Sequence, residues 1–226
     1  MSDVYVNLYT DKTIEYKFFE WAQDALDKAD NQLDLDIDYS NIPYSVDVTS
    51  SKWWRGPNLD DAINDMVDFK PDPRDNSYNM ILVDQVYAAS GQGKTKATVN
   101  GAANGYPYDN SAACAGAVNK AAKVWADNSG CYGGEGTTTF KATVMHNLGH
   151  GIISDYSLCN TSDHHCKGEI VGQEVDPMQM GYTAAPCSGN SPPDFNCSDN
   201  PKSIVTGIST DYSSCAKDAI NNINEL

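Results

Sequence analysis

The order of strand-like and helix-like segments restricts the fold of this chain more than any other feature of its sequence. Residues 4–9 alternate in the manner of a strand, and apolar residues then recur at helical spacing over 13–33. Alternation returns over 34–39, and a shorter helix pattern follows over 58–67. The continuous apolar run at 80–83 is typical of a strand buried on both faces. This order predicts a layered α/β or α+β domain.

The second half of the chain is less regular and holds all seven cysteines. Residues 96–103 favour a further strand, 138–153 favour a strong helix and 214–226 favour a terminal helix. The cysteines are scattered and form no Cys-x-x-Cys pair, which predicts disulfides made in an oxidising compartment. Glycosylation sequons at Asn160 and Asn196 fit the same route. We therefore expect a secreted glycoprotein whose C-terminal part is tied by disulfides.

The charge of the chain limits its partners. Fifteen basic side chains face 31 acidic ones, for a formal net charge of −16. A nucleic-acid backbone would be repelled, and we expect no nucleic-acid partner. The many carboxylates are interpreted as a solvated surface, although calcium is the alternative that they leave open. No apolar run approaches the roughly 18 residues of a membrane span, so we expect no membrane-spanning segment. We also expect the chain to be a monomer.

The four histidines all fall within twenty residues: His146, His150, His164 and His165. The first two are four apart in the predicted helix, so both imidazoles can face one ion. Zinc takes neutral imidazole nitrogens and, for catalysis, needs three protein ligands and an open position. The alternative is a pair of surface histidines on an amphipathic helix, but the clustering favours a site for one zinc ion.

Several segments resemble those of the metzincin zinc metallopeptidases. Residues 146–151 (His-Asn-Leu-Gly-His-Gly) are similar to the His-Glu-Leu-Gly-His core, with Asn147 where that family has Glu. Residues 212–218 (Tyr-Ser-Ser-Cys-Ala-Lys-Asp) resemble the segment that opens the last helix of the adamalysin (reprolysin) branch. The resemblance implies a metzincin-like zincin with a twisted, mostly parallel sheet and an active-site helix. It also implies one domain, with an N-terminal subdomain over 1–151 and a small irregular C-terminal subdomain over 152–226.

The C-terminal subdomain of this family carries a Met-turn. Residues 178–182 (Met-Gln-Met-Gly-Tyr) are similar to its common form Ser-Ile-Met-x-Tyr, which aligns Met180 with the turn methionine. The resemblance implies that one of the two methionines lies beneath the metal. It also implies that Tyr182 stabilises the oxyanion formed on the scissile carbonyl, the alternative being a packed tyrosine. The small residues Ala102 and Ala103 resemble part of the edge strand that pairs with an extended peptide substrate.

The third metal ligand does not stand where metzincins have it. The family places a histidine six residues after the second one, and this chain has Tyr156 there. We expect His164 or His165 instead, between which the spacing does not choose. A disulfide between Cys159 and Cys166 would hold either ring toward the helix. Weaker candidates are the carboxylates of Asp155 and Asp163. Glu169 or Glu174 would suit a different arrangement, in which a glutamate from a later helix completes the site.

The residue at the general-base position, Asn147, decides what activity the resemblance implies. The family hydrolyses internal peptide bonds of proteins with metal-activated water, and its Glu moves the proton. An amide is not basic enough for this transfer, which contributes about 10²–10⁴-fold. We therefore expect a zinc endopeptidase inactivated at Asn147, either by replacement or as a natural inactive relative. The alternative function is a secreted zinc-binding pseudopeptidase that binds a peptide or protein partner.

Overall fold

The structure, a computed structural model, describes residues 4–48, 59–68, 77–84, 93–96, 114–120, 123, 127, 135–152, 170–171, 174–179 and 207–221. The strands are β1 (Val4–Asp11), β2 (Ile37–Tyr39), β3 (Tyr44–Val46), β4 (Ser77–Val83), β5 (Gly93–Lys96), β6 (Cys114–Asn119), β7 (Ile170–Val171), β8 (Glu174–Val175) and β9 (Gly207–Ile208). The helices are α1 (Tyr16–Asp30), α2 (Leu59–Asp68), α3 (Gly136–Ile152) and α4 (Ser214–Asn221), with a 3-10 turn at Pro177–Gln179. Within these ranges, no helix combines the length and the apolar character that a membrane crossing needs.

The main sheet has the strand order β2-β1-β4-β6-β5, and β3 also pairs with the end of β1. All its pairings are parallel except that of β5 with β6. Parallel neighbours need a crossover connection, which α1 supplies between the paired strands β1 and β2. α2 lies in the chain between β3 and β4, both of which pair with β1. The predicted α/β class with a mostly parallel sheet is confirmed.

One face of this sheet, which we call the site face, is covered by α1 and α3. The six buried positions of α1 recur at spacings of one, three and four residues, so one stripe of the helix meets the sheet. Phe18 of α1 meets Phe140 of α3 edge to face, with ring centroids 5.0 Å apart. The buried side chains of the site face include Val4, Val6, Leu8, Phe18, Phe19, Ala22, Ala25, Leu26, Ala29, Tyr78, Met80, Leu82, Val118, Phe140, Val144, Met145, Leu148 and Ile152.

The opposite face of the sheet, the far face, is covered by α2. Its buried side chains are Tyr9, Val46, Leu59, Ala62, Ile63, Met66, Ile81, Val83 and Ala117. Alternate residues of β1 and β4 therefore serve the two faces, as the period of a strand requires. The helix that carries the two candidate histidines, α3, lies on the site face beside α1, so among the described elements α2 is separated from it by the sheet.

Several element boundaries differ from those expected from the sequence. α1 covers 16–30 within the predicted 13–33, and α3 covers 136–152 where 138–153 was expected. β5 ends at Lys96, where the expected strand over 96–103 begins. Ala102 and Ala103 lie outside the described residues, so their place at the edge of the sheet stays a prediction.

The described residues that follow α3 include a small three-stranded sheet next to a turn that packs against this helix. β8 pairs antiparallel with β7 and parallel with β9. The 3-10 turn at Pro177–Gln179 follows β8 directly and packs against α3. Cys159 and Cys166, the predicted disulfide partners, lie outside the described residues.

Candidate metal centre

The beginning of α3 is fixed by a side-chain cap. Asp127 accepts a hydrogen bond from the backbone N–H of Gly136, with Oδ1 and N 3.1 Å apart. Lys123 donates a hydrogen bond to the same carboxylate, and this bond is the main reason that the pKa of Asp127 is lowered. Burial acts in the opposite direction but does not reverse the shift. A negative charge here also suits the positive end of the helix. The cap sets the start of the helix on which both candidate histidines lie.

The structure brings His146 and His150 together on one face of α3. Their Nε2 atoms are 3.1 Å apart, and the rings stand at 87° with centroids 4.5 Å apart. Two imidazole nitrogens on one tetrahedral zinc, with bonds of about 2.0–2.1 Å, would be separated by about 3.3 Å. The half-buried pair therefore has the spacing that two ligands of one zinc ion need.

The orientation of His146 is set by a backbone carbonyl. Its Nδ1 lies 2.7 Å from the carbonyl oxygen of Pro177. A carbonyl only accepts, so Nδ1 carries the proton, and the neutral ring then has its lone pair on Nε2, toward His150. Metal-binding histidines commonly donate their other ring N–H to such an acceptor, which fixes the tautomer and the ring.

A methionine lies directly beneath this part of α3. Met178 is fully buried, and a Cβ placed on Gly149 would come too close to its Sδ. The close approach of Met178 is therefore possible because residue 149 is glycine. Met180 and Tyr182, which the motif aligned with the Met-turn, lie outside the described residues and stay predictions.

Asn147 is turned away from the solvent. Its side chain is 1% exposed, and Nδ2 donates to the carbonyl oxygen of Thr143 at 2.8 Å. An amide in this position has no group that accepts a proton near neutral pH. The residue at the general-base position therefore offers a hydrogen bond to the helix and no acid–base chemistry.

Most candidates for the third ligand lie outside the described residues. His164, His165, Asp155, Asp163 and Glu169 all lie outside the described residues. Glu174 is described, and it is exposed on β8 beside Gly207. Within the described ranges, no third His, Cys, Asp or Glu joins the two histidines to form a metal-binding group.

A buried tyrosine also contacts α3, and the sequence patterns gave it no role. The Tyr212 hydroxyl donates to the carbonyl oxygen of Met145 at 2.6 Å. Burial, and after it the nearby Asp176 carboxylate, raises the pKa of Tyr212 well above its usual range. The hydroxyl therefore keeps its proton and acts as a donor. Tyr212 belongs to the segment that resembles the last helix of adamalysins, which was the one signal that pointed to it.

Comparison with known proteins supports the same architecture. No family model matches the chain, and no curated protein sequence matches it. Among solved structures, archaemetzincin from Methanopyrus kandleri matches 99% of this chain and 96% of its own, with a TM-score of 0.56 and 10% sequence identity. The chain has a metzincin-like fold. At this identity the likeness extends to the fold alone, so the adamalysin branch remains a resemblance of one segment.

Proposed function

We propose that this chain is a zinc-binding domain of the peptidase type, whose reaction class is hydrolysis of internal peptide bonds. His146 and His150 would hold one zinc ion together with His164 or His165. The observation that carries the proposal is the pair of facing Nε2 atoms, 3.1 Å apart, with His146 held by the Pro177 carbonyl. The metzincin-like fold supports the same reaction class.

The residues of the chain divide the work of such a site. Zinc bound there would lower the pKa of its water and polarise a peptide carbonyl. His146 and His150 would each supply a lone pair on Nε2, and Pro177 would keep the proton of His146 on Nδ1. Asn147 supplies no base, so we expect hydrolysis to be slower by about 10²–10⁴-fold than with a carboxylate there.

The edge of the main sheet supports a peptide as the substrate class. Within the described sheet, β5 is the last strand, it is antiparallel to β6, and it packs against α3. An extended peptide could add to such an edge through main-chain hydrogen bonds, close to the helix that carries the two histidines. Ala102 and Ala103 would follow this strand in the chain.

The second candidate function is a secreted zinc-binding pseudopeptidase that holds a peptide or protein without cutting it. The hydrogen bond from Asn147 to Thr143 favours it, because the amide is buried and satisfied where a peptidase needs a base near the metal. Secretion itself rests on the cysteines and sequons of the sequence and stays a prediction.

Replacement of Asn147 separates the two candidates. We expect Asn147→Glu to cleave casein at least about 100-fold faster than the parent chain, because a base is restored, and a chelator should stop the cleavage. Asn147→Gln is the matched control, since it has the length of Glu and no basic group. If Asn147→Glu retains zinc and cleaves no faster than Asn147→Gln, the pseudopeptidase is the better description. A wild-type chain that holds no zinc by elemental analysis would contradict both.

A further inference from the structure

Two consecutive residues just before α4 contact both sides of the candidate metal centre. The Tyr212 hydroxyl donates to the carbonyl oxygen of Met145 at 2.6 Å. The backbone N–H of Ser213 donates to Oδ2 of Asp176 at 3.2 Å. Met145 directly precedes His146, and Asp176 directly precedes Pro177. The dipeptide therefore binds the residue before each partner of the hydrogen bond that orients His146.

These contacts are shielded from water. Tyr212, Ser213, Asp176 and Met145 are all buried, so water competes little for their hydrogen bonds. The Asp176 carboxylate also lies at the beginning of α4, where the helix dipole favours a negative charge. Both hydrogen bonds are therefore suited to hold Met145 and Asp176 in fixed positions relative to the dipeptide.

The dipeptide is itself attached to the main core. Gln32, just after α1, accepts a hydrogen bond from the Tyr212 backbone N–H at 2.7 Å and donates to the Thr210 carbonyl oxygen at 2.9 Å. Lys28 of α1 donates to the Thr210 hydroxyl at 2.7 Å and pairs with Asp211. The position of Tyr212 is therefore set by α1 on the site face.

We infer that Tyr212 is a positioning residue for metal binding, which acts on His146 through the Met145 carbonyl. The hydrogen bond from Ser213 to Asp176 is the second contact. Together the two contacts fix α3 and the Pro177 carbonyl relative to each other. This keeps the proton of His146 on Nδ1 and its Nε2 directed at the ion. The inference rests on the proposed zinc site, and it adds a residue that does not touch the metal.

The test removes only the Tyr212 hydroxyl. We expect Tyr212→Phe to raise the zinc dissociation constant of the full chain about tenfold, the scale of losing an outer partner of a ligand. Competition with a chromogenic chelator measures this. Tyr9→Phe is the matched control, because Tyr9 is also buried and its hydroxyl donates to Asn79 on the far face at 3.4 Å. This control should bind zinc as the wild type does.

A second readout needs no metal. In the metal-free chain, long-range proton–nitrogen NMR correlations should show His146 with its proton on Nδ1, assigned by comparison with His146→Ala. In Tyr212→Phe the same ring should show a mixture of tautomers, and in Tyr9→Phe it should not. A structural role alone would move the melting temperature and leave the tautomer unchanged.

The outcomes distinguish this inference from the proposed function. A wild-type chain that binds no zinc overturns the proposed function, and the inference with it. If the wild type binds zinc and Tyr212→Phe equals Tyr9→Phe in affinity and tautomer, the inference alone is overturned. Should Tyr212→Phe fail to fold, Asp176→Asn weakens the hydrogen bond from Ser213 instead, and the same two readouts decide.

Discussion

Polar side chains on the two faces of the main sheet have different kinds of hydrogen-bond partner. On the far face, Asn7 and Tyr9 both donate to the side-chain oxygen of Asn79, so side chains of neighbouring strands satisfy one another. On the site face, His146 and Tyr212 bond to backbone carbonyls of segments 31 and 67 residues away. The far-face groups join strands that the sheet already pairs. Those of the site face hold separate segments in a fixed relation, which a ligand site requires.

The largest expected effects come from one residue on each face. We expect His146→Ala to lower zinc affinity by more than the roughly 10–100-fold that loss of an outer partner costs, because a ligand is removed. Its free energy of unfolding without metal should change little, since the ring is only half-buried. Met66→Ala, fully buried under the far face, should lose about 2–5 kcal/mol of stability and keep its zinc affinity.

Denaturant unfolding and chelator competition measure both variants. The pair tests whether stability and metal binding are carried by different faces. A Met66→Ala chain that folds and yet binds zinc tenfold more weakly would show that the far face also sets the site.

An intermediate effect is expected at two glycines of α3. Gly149→Ala would bring a Cβ against the Sδ of Met178, the flexible end of a side chain. Gly151→Ala would bring one against the buried ring of Tyr78, which has less room to move. We expect Gly151→Ala to cost more stability, about 1–3 kcal/mol from overpacking. Gly149→Ala should cost less and lower zinc affinity several-fold, because Met178 adjoins the Pro177 carbonyl that orients His146.

Each glycine variant is the control of the other, since they make the same change two residues apart on one helix. Thermal unfolding and zinc competition on both chains give the comparison. Equal zinc affinities would mean that Met178 fills space beneath α3 without influence on His146.

Local periodicity was enough to predict most of the regular elements. α1, α2 and α3 each show apolar residues at helical spacing, and β1 alternates, so residues close in sequence carry the signal. The pairing of His146 with His150 is local in the same sense, because a helix places residues four apart on one face. β6 was missed because Ala115, Gly116 and Ala117 have little strand preference. Its pairing with β4 and β5 decides its conformation.

The contacts that orient the site could not be predicted in this way. Nothing near Pro177 in the sequence indicates that its carbonyl accepts from His146, and a backbone acceptor is the same for every residue type. Tyr212 lies in a sequence segment that resembles a known motif. Its hydroxyl, however, bonds to a carbonyl whose position depends on the packing of α3. The fold thus follows largely from short-range patterns, whereas the candidate site depends on long-range backbone contacts.

The smallest expected effect concerns Asp127, at the end of α3 that is far from the two histidines. The Lys123 ammonium, and also the Gly136 N–H, hold the pKa of Asp127 below its ordinary value. A lowered pKa in the folded chain means that the charge stabilises the fold fully above about pH 4 and that this is lost as the pH falls further. Asp127→Asn keeps an oxygen for Gly136 and does not titrate. The melting temperature of the wild type should therefore fall slightly more between pH 5 and pH 3 than that of Asp127→Asn.

Zinc affinity at pH 7 should be equal in both, because the histidines are oriented from Pro177 and Tyr212. Parallel pH profiles would mean that the cap carries no charge-dependent stability, and a weaker zinc affinity would mean that the start of α3 also sets the site.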